Sequence, residues 1–435
     1  MGNWLKNRNI KKSVVIFFLV AFLTVISIQI TKYKENRLFV NKDTNVENPE
    51  VSVKIFGAKG DGVTDDTKAI TDAFNSAEEA LIFPSGTYRV TSKIIVKPGK
   101  PLHVTGESDV TILSTLEANE NLMDFSRNIS FENIVFDFNN GFLQYGMYFR
   151  ENLGEISLKD VKFKNINDVN NLSSTIVVYI LTKGNQLDIQ NIHFDKMRKL
   201  GNGIIGDGGG NLTCLFVRDS ENSSEAIGRV KGVRITDVHN SDPSNNILFE
   251  DVSGIYIVTS ESDKKNNLTI GDVYGENFGT RLIKLDASNI KINNVTAYSN
   301  TGDALSAIGV LSDEDFENRQ NNRITDVKIR GSFSSALVST ATNTTFQDID
   351  IKIEKPTLDR NNTNSFGVLI TGDGTLVENA EIEADRPIVL FKTNDNPIKG
   401  TEVKNATFVD PVKSDSNDYE TITFDEVKVS PDQAR

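Results

Sequence analysis

The segments ISFENIVFDF (129–138), ISLKDVKFKN (156–165) and LDIQNIHFDK (187–196) spell one phrase three times. Apolar and polar residues alternate, then comes an Asn or Asp, then Ile or Val, then another apolar residue two further on. The phrase returns as VRITDV (233–238), ILFEDV (247–252), LTIGDV (268–273) and IKINNVTAY (290–298). Later copies are ITDVKIRG (324–331), TTFQDIDIKI (344–353), TLVENAEIE (375–383), TEVKNATFV (401–409) and TITFDEVKV (421–429). Alternation with period two marks a strand buried on one face.

The polar residue before the Ile, Val or Ala serves as a marker. It falls at Asn133, Asp160, Asn191, Asp237, Asp251, Asp272, Asn294, Asp326, Asp348, Asn379, Asn405 and Glu426. Most steps lie between 21 and 32 residues, with a 46 before Asp237 and a 14 before Asp251. A degenerate copy near Cys214 is expected inside the long step. A period of roughly 20–50 residues signals a solenoid, propeller or array. The near absence of helical stripes excludes helical solenoids, and neither a Leu-rich consensus nor a Trp-Asp blade signature occurs. What remains is an all-β solenoid, a parallel β-helix of roughly a dozen three-strand coils stacked about 4.8 Å apart, some 55–60 Å long. Ile129, Phe131, Ile134 and Phe136 would point inward into one apolar column, and each marker would turn the chain between two strands.

The rest of the chain divides around this repeat. Residues 13–30, SVVIFFLVAFLTVISIQI, are uncharged and mostly apolar, and Lys6, Arg8, Lys11 and Lys12 precede them. That length matches the roughly 17–25 residues of a membrane-spanning helix, and the basic flank places the N-terminus in the cytoplasm. No small-x-small cleavage site follows, so an uncleaved signal anchor is expected in preference to a removed signal peptide. The expected division is a basic cytoplasmic stretch (1–12), a single-pass transmembrane anchor (13–30), a polar tether (31–50) and an extracytoplasmic β-helix (51–435). The single cysteine, Cys214, excludes a disulfide framework and reads as a buried inert thiol. The formal charge of −13 argues against nucleic acid as a partner and would repel polyanions unless a local basic patch intervenes. The three histidines (His103, His193, His239) show no metal-ligand spacing.

Residues 51–115 read as the cap of the column. VTDDTKAITDAFNSAEEA (63–80) forms a helix N-capped by Thr64 or Asp65, with Ala69, Ile70, Ala73, Phe74 and Ala77 on one face. FGAKGDGVTDDTKAI (56–70) followed by FPSGTYRV (83–90) resembles the N-terminal signature of the pectate-lyase-like superfamily. That group includes rhamnogalacturonase and epimerase-like proteins, relatives of glycoside hydrolase family 28, and phage tailspikes. The resemblance implies a right-handed single-stranded parallel β-helix and action on polysaccharide. Asp61, Asp65 and Asp66 in this signature read as turn and capping residues, distant from chemistry.

Candidate chemistry lies further along. Asn300-Thr-Gly-Asp303 resembles the Gly-Asp-Asp segment of family 28 polygalacturonases, but Ala304 replaces the second acid. Gly279-Thr-Arg281-Leu-Ile-Lys284 resembles their Arg-Ile-Lys segment with one insertion and out of order, and no His-Gly pair exists. Aligning Gly279 with Gly302 sets Asp303 level with Thr280 and diagonal to Arg281. The expected constellation is Asp303 as acid or base, with Glu276 or Asp286 as its partner and Arg281 binding a sugar carboxylate or acting as the base of a lyase. Lys284, Asp207 of a glycine-rich stretch and Tyr256 are expected substrate contacts. Strict alternation forbids Arg281 and Lys284 from both facing outward. No cofactor is expected, save a divalent cation such as calcium if the reaction is a lyase's. The expected function is a membrane-anchored hydrolase, lyase or uronate epimerase acting on polysaccharide. The rival is a non-catalytic β-helix that binds glycan or builds surface structure.

Overall fold

The computed structural model describes residues 50–430 except 117–119, 151–152, 169–173, 183, 200–210, 220–225, 241–250, 260–265, 313–318, 356–363, 391–397 and 410–421. The expected anchor at 13–30 and the tether before residue 50 lie outside the described residues. Among the described residues, no helix is long and apolar enough to cross a membrane. Glu50–Arg435 form one compact unit.

Each coil contributes one strand to an 11-stranded sheet and one or two to a 21-stranded sheet. Neighbouring coils pair in parallel, as in His193–Lys199 on Lys162–Asp168 and Leu212–Asp219 on Thr175–Thr182. This is the expected parallel β-helix. Ile129, Phe131, Ile134 and Phe136 are all buried in one continuous core, as their alternation required. Phenyl groups stack along that core from coil to coil, Phe136 on Phe163 at 5.3 Å and Phe163 on Phe194 at 5.2 Å.

The marker residues bend the long sheet because they adopt a left-handed backbone, which Asn and Asp tolerate better than other side chains. Ten of the twelve markers do so at one level of the coil, from Asn133 (φ 59°) to Glu426 (φ 54°). Their amides bridge coils, as in Asn191 Nδ2 to Asp160 Oδ1 at 3.1 Å and Asn294 Nδ2 to Asp272 Oδ1 at 2.6 Å. Two markers depart from the pattern. Asp237 is left-handed but five residues beyond the corner of its coil, which Gly232 (φ 70°) occupies directly above Asn191. Asp251 is absent from the left-handed set and only leads into a strand of the 11-stranded sheet. With Gly232 as the corner, the steps flanking it are 41 and 40 residues, so the long step hides no extra copy. Leu212–Asp219, around Cys214, is an ordinary strand of the 11-stranded sheet.

The cap is a helix at Thr67–Ser76, its N-cap at Asp66, one residue later than expected. The Asp66 carboxylate is occupied elsewhere, accepting from the Lys59 and Gly60 backbone N–H groups. Asp65 instead accepts from the Thr67 N–H. Phe74 closes the column against Phe83, Phe125 and Phe131. The buried Arg127 donates to the carbonyls of Phe74, Ala77, Glu78 and Lys100, satisfying helix-end acceptors that would otherwise lack partners.

Candidate functional site

The strands of the 11-stranded sheet break strict alternation at one fixed level. Tyr145 pairs with Ile176 and Met147 with Val178, and further along Arg281 pairs with Ser306 and Ile283 with Ile308. The residue between each pair is skipped, and it and its successor are both buried, as Leu282 and Ile283 are. The skipped position packs against the next coil. A Cβ on Gly146 would lie 2.5 Å from the Val177 carbonyl, and one on Gly254 the same distance from the Leu282 carbonyl. Two consecutive inward residues return the chain to the outer face after three steps instead of two. Arg281 and Lys284 therefore both face outward, contrary to the expectation from a regular strand.

Both cations converge on a single carboxylate. Arg281 Nη1 lies 3.2 Å from Asp251 Oδ1, and Lys284 Nζ lies 2.5 Å from Asp251 Oδ2. The three side chains are 15–23% exposed, so solvent reaches them while screening them less than on an open surface. Burial pushes the Asp251 carboxyl pKa up, but Lys284 and Arg281 outweigh it and hold the group below the usual carboxylate range. Ser253 Oγ completes its coordination at 3.1 Å.

A row of rings runs away from this cluster. Register places Asp124, Tyr148, Tyr179, Phe216, Tyr256 and Lys284 in one column across successive coils. Tyr179 and Phe216 stack at 5.1 Å, Phe216 and Tyr256 at 4.9 Å, and Lys284 Nζ sits 4.4 Å from the Tyr256 centroid. Both faces of Tyr256 are thus covered, so neither is left for stacking on a further ring. The far end repeats the motif. The buried Asp124 binds Lys93 at 2.7 Å and Arg150 at 3.0 Å, and the Arg150 guanidinium lies 5.3 Å from the Tyr148 centroid. Exposed Arg218 lies between the ends and acts electrostatically on Tyr179 and Tyr145, whose hydroxyl pKa values burial pushes up. The strip spans five coil steps, about 24 Å. It carries cations at both ends and in the middle on a chain whose overall charge is −13.

The other expected catalytic residues do not join this site. Asp303 is fully buried, and its Oδ2 accepts from the Asn240 backbone N–H (2.9 Å) and Nδ2 (2.8 Å). Arg281 is level with Ser306, and a Cβ on Gly279 would lie 3.2 Å from Asp303 Oδ2, because the connection before Ser306 is longer than that before Arg281. Aligning Gly279 with Gly302 missed that difference. Asp286 is buried against the equally buried Arg319 at 2.9 Å, an internal ion pair. Glu276 belongs to the long sheet and accepts from the Tyr274 hydroxyl at 2.9 Å. The paired-acid arrangement of Asp303 with Glu276 or Asp286 is thereby overturned. Asp207 lies outside the described residues. Cys214 is fully buried, and desolvation pushes its thiol pKa far up.

Asp251, a turn residue by its place in the repeat, is the carboxylate that organises the cluster. The 14-residue step before it was the available signal, being too short for a full coil. Among the described residues, hydrogen bonds and neighbouring cations hold the carboxyl groups of Asp61, Asp65, Glu78, Asp137, Asp195, Asp251 and Asp272 below the usual carboxylate range. None of these is poised as the protonated acid that glycoside hydrolysis needs. Among the described residues, no three His, Cys, Asp or Glu side chains gather as metal ligands.

Residues 50–328 match the family described as rhamnogalacturonase A/epimerase, pectate lyase-like. The chain belongs to that family. A PL6 alginate lyase solved with a trisaccharide superposes with TM-score 0.54 and 11% identity, covering 89% of this chain and 86% of the lyase. PfbA, a surface adhesin of Streptococcus pneumoniae, gives TM-score 0.52 and 14% identity over 88% of this chain and 91% of the adhesin. These likenesses establish the fold. A probable glucan endo-1,3-beta-glucosidase of Arthroderma benhamiae is 37% identical over 91 residues, 20% of this chain. The chain spans about a tenth of the length of the curated relatives it matches. An alginate lyase and a surface adhesin thus share this fold.

Proposed function

We propose that this protein binds an acidic polysaccharide along the strip from Arg150 to Lys284 and acts on its uronate units by abstracting the proton beside the carboxylate. The observation that carries this reading is the outward pair Arg281 and Lys284 sharing Asp251. A uronate carboxylate lodged against two cations loses much of its negative charge, and the adjacent carbon–hydrogen bond becomes more acidic. Transfer of that proton to solvent, which reaches the half-buried cluster, opens two outcomes: elimination of the neighbouring glycosidic oxygen with formation of a carbon–carbon double bond, or return of a proton from solvent on the opposite face. A lyase and an epimerase share this first step, whereas paired-acid hydrolysis has no support in the carboxylates of the strip. Right-handed winding goes with this family reading, as right-handed crossovers are the rule between parallel strands.

The test is solvent exchange. Alginate and polygalacturonate are incubated with the protein in heavy water, and deuterium at the uronate C5 is followed by NMR together with ultraviolet absorbance of unsaturated ends. Exchange that disappears in Lys284→Ala supports the reading; new reducing ends without exchange or unsaturation overturn it.

A second reading is a non-catalytic glycan binder. Asp251 already engages both cations, which suits a binding surface as well as a reactive one. Saturable polyuronate binding with no exchange would select it. In either case we place the β-helix outside the membrane, held by the apolar stretch 13–30 with its basic flank. Protease treatment of intact cells, sparing only a short N-terminal fragment, is the expected outcome.

A further inference from the structure

The 21-stranded sheet carries a depression unrelated to the cationic strip. Register aligns His103, Ser130, Ser157 and Asp188 in one row across four coils. Two adjacent serines in that row leave a trough of about 240 Å³ beside His103, with Pro101 and Asn128 at its edge and Glu79 and Glu155 alongside. His103 Nδ1 lies 2.6 Å from Ser130 Oγ, which fixes the imidazole at one end.

The dimensions and chemistry of the trough narrow its occupant. Sites for drug-sized ligands occupy roughly 300–1,000 Å³, so this one accommodates a single ring. The exposed Pro101 ring beside the Ser130 and Ser157 hydroxyls suits a pyranose, which has polar edges and apolar faces. No Lys or Arg is among the lining residues, while two carboxylates are. A uronate would meet like charge here, whereas a protonated amine would meet opposite charge. We infer that this trough binds one amino-sugar unit with a free, protonated amine, independently of the acidic chain proposed for the other sheet.

The test uses ligand-observed NMR on the full-length chain with glucosamine, N-acetylglucosamine, glucose and galacturonate as probes. Glucosamine is expected to bind at millimolar concentration, at least tenfold more tightly than either neutral sugar, and galacturonate is expected not to compete. Glu155→Gln with Glu79→Gln should weaken glucosamine about tenfold while leaving the melting temperature in place. Ser130→Phe, which fills the trough from an outward position, should abolish binding, and Ser157→Phe provides a second filling variant should the first fail to fold. Equal binding of glucosamine and glucose, no glucosamine binding at all, or binding that survives both filling variants would overturn the inference.

Discussion

The Lys284 ammonium lies 4.4 Å from the centre of the Tyr256 ring and at the same time pairs with Asp251. The ring stack therefore ends in a cation held from two directions. A cation over an aromatic face gains about 0.5–2 kcal/mol, more when desolvated. The stack orients the charge, and the charge terminates the stack.

Asp251→Asn should separate orientation from charge. Removing the shared anion frees Arg281 and Lys284, so polyuronate should bind more tightly at low salt and with a steeper salt dependence. Turnover should fall at least tenfold, because the two cations lose their common anchor. Folding stability should drop by about 1–3 kcal/mol, the range for losing a charged hydrogen-bond partner. Denaturant melts and binding isotherms at two ionic strengths check both effects.

The same substitution should reshape acid unfolding. The folded Asp251 pKa is held below the unfolded carboxylate value of about 3.9. Its contribution is then complete above about pH 4 and is lost as pH falls through the folded value. The wild-type advantage over Asp251→Asn should be constant from pH 5 to neutrality and shrink toward pH 2. An advantage that grew on acidification would contradict the assignment.

Gly254→Ala should be far more damaging than a surface change of that size. Its Cβ would lie 2.3 Å from Ile235 Cδ1 and 2.5 Å from the Leu282 carbonyl. Overpacking of this kind costs about 1–3 kcal/mol, and here a backbone atom must move. Because Leu282 lies between Arg281 and Lys284, polyuronate binding should weaken in protein that remains folded. Thermal melts with binding measured below the transition provide the check.

At the corners, Asn191→Ala should cost about 1–2 kcal/mol for the left-handed backbone, and it also loses the bond to Asp160. Asn191→Gly should cost less than Asn191→Ala. Gly232→Asn restores the repeat phrase yet should destabilise, since a Cβ there would lie 2.5 Å from Asn191 Oδ1. Chemical denaturation of the three variants ranks them.

The repeat phrase made the β-helix legible because inward Ile, Val and Phe recur with period two and the corners select Asn or Asp. The cap was legible for a similar local reason, although Asp66 rather than Thr64 or Asp65 begins the helix. The site was legible only in part. Arg281 and Lys284 stand out in the sequence, yet Asp303 and Asp286 are buried, and Asp251 leaves the corner that its place in the repeat assigns it. A carboxylate at a corner, in a buried ion pair or in a half-exposed cationic cluster has the same letter and often the same neighbours. What separates them is the coil lying above.

The amino-acid sequence alone determined that the chain winds into stacked coils, because burial periodicity and turn preference are properties of short segments. Tertiary structure decided which charged groups meet, because the meeting residues are 30 and 33 positions apart and depend on the length of every intervening connection, as for Asp251 with Arg281 and with Lys284. One extra inward residue per strand, imposed by packing against the next coil, turned Lys284 to the outside beside Arg281.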